Sequence, residues 1–458
     1  MMLLSEAAQI LGAKMVGGDV RFTSVSTDSR KIEAGNLFIA LRGENFDGAG
    51  FVANAVRDGA VAAMVNADGW VGSAPCPVLL VADTRLALGR LAAHWRAQFE
   101  IPLVGLTGSN GKTTVKEMLA SILCEVTGGA ESVLATQGNL NNDIGLPLTL
   151  LRLHVGHRFA VIEMGMNHPG EIEYLSRLAD PDVAIITNAS GAHLAGLGSV
   201  EGVARAKGEI FAGLKPGGTA VINADDEYAP LWRRMAEGRA EIEFGLKGFP
   251  AVLGKWQAEG AGARLSVLTP QGEFAASLQV PGVHNARNAL AATAAAVALG
   301  VPLEKIALGL EKFGGVAGRL QRKAARNGAA LIDDTYNANP ASMRAALEVL
   351  AQASGKRIFV MGDMGELGEN APRFHAEIGA VARHAGIQRL LALGELSREA
   401  VREFGAGAQH FADVESLCAV LDGELAAGTT VLVKGSRFMK MERVVARCIE
   451  GEETCCSH

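Results

Sequence analysis

Leu103 to Thr114 read LVGLTGSNGKTT. The apolar run from Leu103 to Leu106 suits a buried strand, Gly108 and Gly111 suit a loop whose N–H groups turn inward, and from about Thr113 the pattern suits a helix. Strand, glycine loop and helix in that order form a phosphate cradle, because loop amides and the positive end of the helix dipole meet the anion together. Lys112 can neutralise outer phosphates, Thr113 can offer its hydroxyl to Mg²⁺, and Ser109, Asn110 and Thr114 complete the loop. The pattern departs from G-x-x-x-x-G-K-[ST]: position 106, where the first glycine would fall, is Leu. Nucleotide binding follows from the loop, whereas the reaction performed with the nucleotide does not.

Downstream, FAVIEMG, VAIITN and TAVINAD are short apolar runs separated by helical stretches. That alternation predicts βαβ units and a parallel sheet covered on both faces. The stretch 241–283 is short-stranded and punctuated by Gly and Pro, and reads as a small antiparallel insertion. A further α/β pattern, AALIDDTY, RIFVMGD, RLLALGE and TTVLVKG, begins at about residue 314. Upstream, residues 1–99 mix short strands and helices. The expectation is an α/β protein with three domains at 1–99, 100–313 and 314–458: a small N-terminal α/β domain, a central P-loop parallel-sheet domain and a C-terminal Rossmann-like domain. The length of 458 residues agrees with roughly 150 residues per domain.

Composition narrows the function classes. The chain is 49% hydrophobic and 20% charged, enough apolar mass for several cores. Its net charge of −6 gives no positive field to draw nucleic acid or anionic lipid. The N-terminal MMLLSEAAQILGAK is charged too early for a signal peptide. The longest uncharged apolar run, Ala289 to Leu303, falls short of the ~18 to 20 residues that cross a bilayer and reads as a buried helix. A cytoplasmic protein without membrane insertion is expected. Scattered cysteines at 76, 124, 418, 448, 455 and 456 fit reduced thiols; Cys455 and Cys456 near His458 lack zinc-site spacing and read as a frayed tail.

A P-loop enzyme needs further groups to hold metal and orient phosphate. Glu163 ends the strand FAVIEMG at the edge where a carboxylate would face the loop. His193 follows VAIITN in NASGAHLAGLGS. Either residue alone could be ordinary rim polarity; their place on successive strand ends of one sheet singles them out.

TGSNGKTT, the Glu163 strand, AHLAGLGS, ARAKGEIF, PGVHNARNALAA, GRLQR and DDTYNANPASM, in this order, resemble the motifs of the Mur ligases of peptidoglycan synthesis. SVSTDSRKIEAGNLFIALRGENFDGAGF and LVKGSRFMKME extend the resemblance over nearly the whole chain. DDTYNANP, MGDMGELG and LVKGSR resemble the branch that adds D-alanyl-D-alanine to UDP-N-acetylmuramoyl-tripeptide; the D-N-P-R element of the branch that adds the third residue is absent. The resemblance implies a monomeric, ATP-dependent ligase acting through an acyl phosphate, with no nucleic-acid partner.

Site roles follow from the resemblance position by position. Lys112 and the loop amides would hold the β- and γ-phosphates, with Thr113 and Glu163 on one Mg²⁺ and His193 on a second. Lys207 matches a lysine carbamylated in this family; an ammonium cannot bind Mg²⁺, whereas a carbamate offers an anionic oxygen. His284, Asn285 and Asn288 fit the adenine-binding stretch, Arg319 the ATP phosphates, and Asp334 and Asn337 the ribose and reacting groups. Ser26, Asp28, Ser29 and Arg30, then Asn45, Phe46 and Asp47, fall where UDP is received, although the same residue types also build Asx and Ser turns. Lys434, Ser436 and Arg437 would meet substrate carboxylate or phosphate. One departure is Ala195, where many members carry Glu after His-Leu. Two other readings remain at this point: a P-loop switch or motor, which the motif at 284–288 disfavours, and a folylpolyglutamate synthetase, which TDSR disfavours.

Overall fold

The strand Leu103–Thr107 lies in the middle of a nine-stranded sheet, between Phe159–Glu163 and Val183–Ile186. Both neighbours run parallel to it, with Glu163 beside Leu106 and Ile186 beside Thr107 in register. Three strand ends therefore open on one edge, at the point where successive strands leave to opposite sides, and ligands of parallel sheets bind at such switch points. The strands are buried, with polar residues gathered at their C-terminal ends, as the alternating pattern predicts. The computed structural model describes residues 1–43, 46–68, 70, 75–191, 194–259 and 262–449.

The same sheet continues through Thr219–Asn223, Ala240–Gly245 and Val252–Glu259 in parallel, then turns antiparallel through Gly262–Thr269 and Gly272–Leu278. The antiparallel strands expected within 241–283 are present, and they extend the edge of the central sheet before the chain returns to helix at Val283. Alternating side chains along Gly262–Thr269 bury Ala263, Leu265 and Val267 against the helix Val283–Ala298. The apolar run from Ala289 is also two elements. The first helix ends at Ala298, Gly300 adopts φ +71°, and Pro302 precedes the helix Leu303–Lys312.

Upstream, a five-stranded sheet orders Lys14–Val16, Val78–Val81, Ala62–Asn66, Asn36–Ile39 and Ser24–Ser26, all parallel except the first pair. The helix Thr84–Arg96 follows this sheet and packs on the helices Gly145–Leu150 and Glu171–Ala179 that cover the central one. Its Leu88, Leu91 and Ala92 share an apolar core with Ile172 and Leu175 of the helix Glu171–Ala179. Buried Arg96 donates to the Ala179 and Phe99 carbonyls at 3.1 and 2.5 Å.

Downstream, a six-stranded sheet orders Gln321–Ala324, Ala330–Asp334, Thr429–Lys434, Lys356–Gly362, Arg389–Leu393 and Ala408–Phe411, with only the first pair antiparallel. It carries its own apolar cores on both faces. The fold class expected from the alternation is observed. Among the described residues no helix is long and apolar enough to cross a membrane. Cys76, Cys124, Cys418 and Cys448 are free thiols, and Cys455 and Cys456 lie outside the described residues.

Candidate active site

The phosphate loop runs from Thr107 into the helix Lys112–Thr127. Two glycines are required by their surroundings. Gly111 has φ +83°, and a Cβ there would stand 2.2 Å from Asn288 Oδ1. At Gly108 a Cβ would meet Thr187 Oγ1 at 1.8 Å. The loop is pinned by the end of the next strand: Ser109 and Asn110 donate their N–H groups to the Asn188 carbonyl and Oδ1, each at 3.0 Å, and the Thr187 hydroxyl donates to the Asn110 carbonyl at 2.7 Å. The sequence reading did not assign Thr187 or Asn188; the polar ending TNAS on the apolar strand was the available signal.

Around the loop, Thr113 Oγ1 donates to Glu163 Oε2 at 2.8 Å, and Asn141 Nδ2 donates to Glu163 Oε1 at 2.8 Å. Glu163 is buried, and this hydroxyl–carboxylate pair is a set of hard oxygen donors suited to Mg²⁺. Lys112 Nζ donates to the Gly108 carbonyl at 2.7 Å. Lys112 keeps some surface on the cavity yet is deeply recessed, and burial pulls its ammonium below the usual lysine range; Glu163 pulls upward and Arg319 downward. Lys207 is buried on the helix Val200–Gly208. Burial, and then the charge of Lys112, push its amine well below the ordinary value.

A cavity of about 930 Å³ opens on this edge. It is lined by the loop, Asn141, Glu163, His284, Asn285 and Asn288 from the central sheet's side, and by Arg319, Asp334, Asn337 and Lys434 from the C-terminal side. Two hydrogen bonds cross it beside the loop: Asn339 Nδ2 donates to Asn110 Oδ1 at 2.8 Å, and Arg319 Nη2 to Thr113 Oγ1 at 2.9 Å. The Arg319 guanidinium also lies 4.1 Å from the centre of the Tyr336 ring. Lys434, itself buried, pairs with Asp334 at 2.6 Å and donates to the Asn337 carbonyl at 2.9 Å. His284 Nε2 is buried without a hydrogen-bond partner, and burial lowers the imidazole to about 4. Asn285 and Asn288 are buried and joined at 3.2 Å. Asn339 and Tyr336 were not singled out from sequence, although both lie within the quoted DDTYNANP.

Other expected site residues are placed elsewhere. Ser436 is buried among loops, donating to the Ala338 carbonyl and accepting from Gly365 N–H, and exposed Arg437 pairs with Glu442; neither lines the cavity. Ser26, Asp28, Ser29 and Arg30 form a capped turn outside it. Asp28 accepts from Arg30 N–H at 3.1 Å and from its Nε at 2.9 Å, and the guanidinium holds the carboxyl at about 2. Asp47 caps the turn Gly48–Phe51 and pairs with Arg42, beside exposed Phe46. Asn45 and His193 lie outside the described residues, as does the side chain of Ala195.

Comparison with known proteins gives this arrangement a lineage. Residues 21–96 match the description "Mur ligase family, catalytic domain", residues 106–296 "Mur ligase middle domain", and residues 318–437 "Mur ligase, glutamate ligase domain". A UDP-N-acetylmuramoyl-tripeptide–D-alanyl-D-alanine ligase from Haemophilus influenzae is 42% identical over 96% of both chains. The solved UDP-N-acetylmuramoylalanyl-D-glutamyl-2,6-diaminopimelate–D-alanyl-D-alanyl ligase of Acinetobacter baumannii is 37% identical, with a TM-score of 0.86 over 96% of this chain and 97% of that one. The MurF ligase of Thermotoga maritima, solved in complex with ADP, is 28% identical, with a TM-score of 0.81 over 93% of this chain and 96% of that one. With matches spread across the three large sheets and full-length identity of this order, the chain belongs to the Mur ligase family.

Proposed function

We propose that the protein is a monomeric, cytoplasmic, ATP-dependent amide ligase that joins D-alanyl-D-alanine to UDP-N-acetylmuramoyl-tripeptide and releases ADP and phosphate. The observation that carries this reading is the cavity itself, where a phosphate loop and its strand-end carboxylate face a second set of charged and amide side chains from the C-terminal sheet. The substrate pair is that in the name of the Haemophilus relative, and the ADP of the Thermotoga complex supports ATP as phosphoryl donor.

A carboxylate is a poor acyl donor, because oxide is not a viable leaving group. Its oxygen attacks the γ-phosphorus, the bond to the β-phosphate oxygen breaks, and ADP leaves. The dipeptide amine then attacks the acyl carbon, loses a proton, and inorganic phosphate departs. Lys112 and the amides of Gly108 to Thr114 hold the outer phosphates. His284, Asn285 and Asn288 take adenine, Arg319 reaches the phosphates from the opposite wall, and Asp334 and Asn337 lie toward the ribose and reacting groups. Thr113 and Glu163 would hold one Mg²⁺, and carbamylated Lys207 with His193 a second; bound there, Mg²⁺ supplies positive charge to the phosphate oxygens. The setting of Lys207 favours the modification, since a neutral amine is the form that adds to carbon dioxide and the neighbouring Lys112 charge favours the resulting anion. Closure of the C-terminal side excludes water from the acyl phosphate. Ser26, Asp28, Ser29, Arg30, Asn45, Phe46 and Asp47 receive the UDP end, and Lys434, Ser436 and Arg437 serve the peptide end.

A coupled phosphate-release assay tests the reading. Phosphate should appear only when tripeptide and D-alanyl-D-alanine are both present, and Lys112→Ala should lower the rate at least ~10²-fold. ATP hydrolysis that proceeds equally without either substrate would identify a P-loop switch instead.

A further inference from the structure

Part of the cavity wall is supplied by residues that make no contact with the phosphate loop. There Arg85 and Leu86, at the start of the helix Thr84–Arg96, face Asn142 and Asp143 of the central unit, with Tyr174 alongside. Arg85 and Asp143 form an ion pair whose halves are unequal, with 59% of the arginine side chain exposed and 26% of the aspartate. Leu86 beside them stays 54% exposed, an apolar side chain that the fold does not bury. The start of this helix is well fixed. Asp83 caps it by accepting from Arg85 and Leu86 N–H at 2.7 and 3.0 Å, and a Cβ at Gly89 would stand 2.1 Å from the Tyr174 hydroxyl.

We infer that Arg85 and Asp143 read the distal head group of the tripeptide's third residue, and that this head group is a zwitterion, as in 2,6-diaminopimelate. Its carboxylate goes to Arg85, its ammonium to Asp143, and its methylenes run along Leu86. The inference rests on the ligase reading above. The third residue's reacting carboxylate must reach the phosphate loop, and the UDP end belongs to the N-terminal unit, so the peptide lies between the two. The third side chain is then directed toward the part of the wall that carries Arg85.

The charge pattern selects the head group. A joined arginine–aspartate pair is a poor receptor for a single charge. A lone ammonium, as on lysine, would draw Asp143 away and leave Arg85 without its partner; a lone carboxylate would do the reverse. A zwitterion takes both halves, so two ion pairs replace one. Both contacts are charge-assisted, and the carboxylate can meet the guanidinium through two parallel hydrogen bonds.

The experiment measures kcat/KM on tripeptides ending in diaminopimelate and in lysine, for the full-length protein and for Arg85→Gln, Arg85→Lys and Asp143→Asn, with melting temperatures alongside. The wild type should favour diaminopimelate by at least about tenfold. Arg85→Gln and Asp143→Asn should erase most of that preference, lowering the diaminopimelate value by roughly tenfold or more while the lysine value changes little. Arg85→Lys, which keeps charge without the planar fork, should fall between. Equal use of both tripeptides by the wild type overturns the inference and leaves the ligase reading intact. So do variants that lose both substrates in equal proportion, because a strap between units, or a contact to the glutamyl carboxylate common to both tripeptides, has that signature. Failure of the wild type on either tripeptide sinks the ligase reading itself.

Discussion

The central unit meets its two neighbours through joints of different chemistry. Toward the N-terminal unit the joint has an apolar centre, where Leu88, Leu91 and Ala92 lie in one continuous core with Ile172 and Leu175, flanked by the Arg96–Ala179 hydrogen bond and the Arg85–Asp143 ion pair. Toward the C-terminal unit, the contacts that reach the phosphate loop are polar, Asn339 to Asn110 and Arg319 to Thr113, while that unit keeps its apolar side chains in cores of its own. Opening the first joint would expose apolar surface, at about 25 cal/mol per Å². Opening the second exchanges hydrogen bonds with protein for hydrogen bonds with water, at a net ~0.5–1.5 kcal/mol each. The chain therefore has one joint with a shared apolar core and one held beside the loop by a few hydrogen bonds, and the cavity is lined from both sides. Substrate entry and water exclusion both need that asymmetry.

The largest effect expected comes from damaging the joint with the shared apolar core. Leu91 is fully buried, so Leu91→Ala should cost about 2–5 kcal/mol through lost burial and a residual cavity. Chemical denaturation should show an earlier midpoint for the central and N-terminal signal together. A variant in which only the N-terminal unit melts early would mean that the shared core does not couple the two.

Next comes Lys207, buried on the helix Val200–Gly208 and within reach of the charge of Lys112. Lys207→Ala should lower turnover by roughly 10²-fold, the scale of losing one electrostatic contributor in a recessed site, without loosening either joint. If the carbamate is the working form, acetate or formate should partly restore activity by filling the vacated anion site. An unmodified ammonium in substrate-bound crystals, together with no rescue, would count against carbamylation.

These two cases show what the sequence made legible. The phosphate loop and the end of the Glu163 strand were readable because their signals are local: glycines that must take special φ, and apolar runs that end in polar residues. Asn188 and Asn141 were not, since each meets the loop only because its segment is adjacent to it in the folded sheet. The antiparallel strands within 241–283 were readable from their turns, but not which sheet they join, because Gly and Pro mark turns without saying so. Arg85 carries no motif at all; its place depends on a joint between units. Asp28 and Arg30 illustrate a residual ambiguity, since a capping turn and a substrate turn use the same residues, and here they cap each other.

A smaller effect should follow from loosening the hydrogen-bonded joint. Asn339→Ser retains a side chain able to cap the helix Pro340–Ala351, which Asn339 now does by accepting from Ser342 N–H. The shorter side chain cannot span to Asn110. Thermal stability should stay near that of the wild type, while the radius of gyration of the nucleotide-free protein rises and KM for ATP increases by up to about tenfold, the range set by one hydrogen bond. An unchanged scattering profile with unchanged KM would show that this pair is not a latch.

The smallest effect is a pH dependence at the same joint. His284 faces Asp334 and Lys434 of the C-terminal unit and Arg287 on its own helix; burial lowers its imidazole to about 4, Asp334 opposes this, and Lys434 and Arg287 add to it. A free histidine titrates near 6.5. The folded protein therefore binds fewer protons than the unfolded one between those values. The contribution of His284 to stability is fully present above about 6.5 and is lost progressively as pH falls toward about 4. If opening the C-terminal joint returns the imidazole to water, acid should also favour the open arrangement. Scattering and denaturation midpoints at pH 7 and pH 5 test both consequences, and His284→Gln should show a shallower pH response than the wild type in each. A smaller slope in denaturation but an identical slope in scattering would mean that His284 is buried by its own unit and takes no part in the joint. The asymmetry between the two joints would then rest on Asn110, Asn339, Thr113 and Arg319 alone.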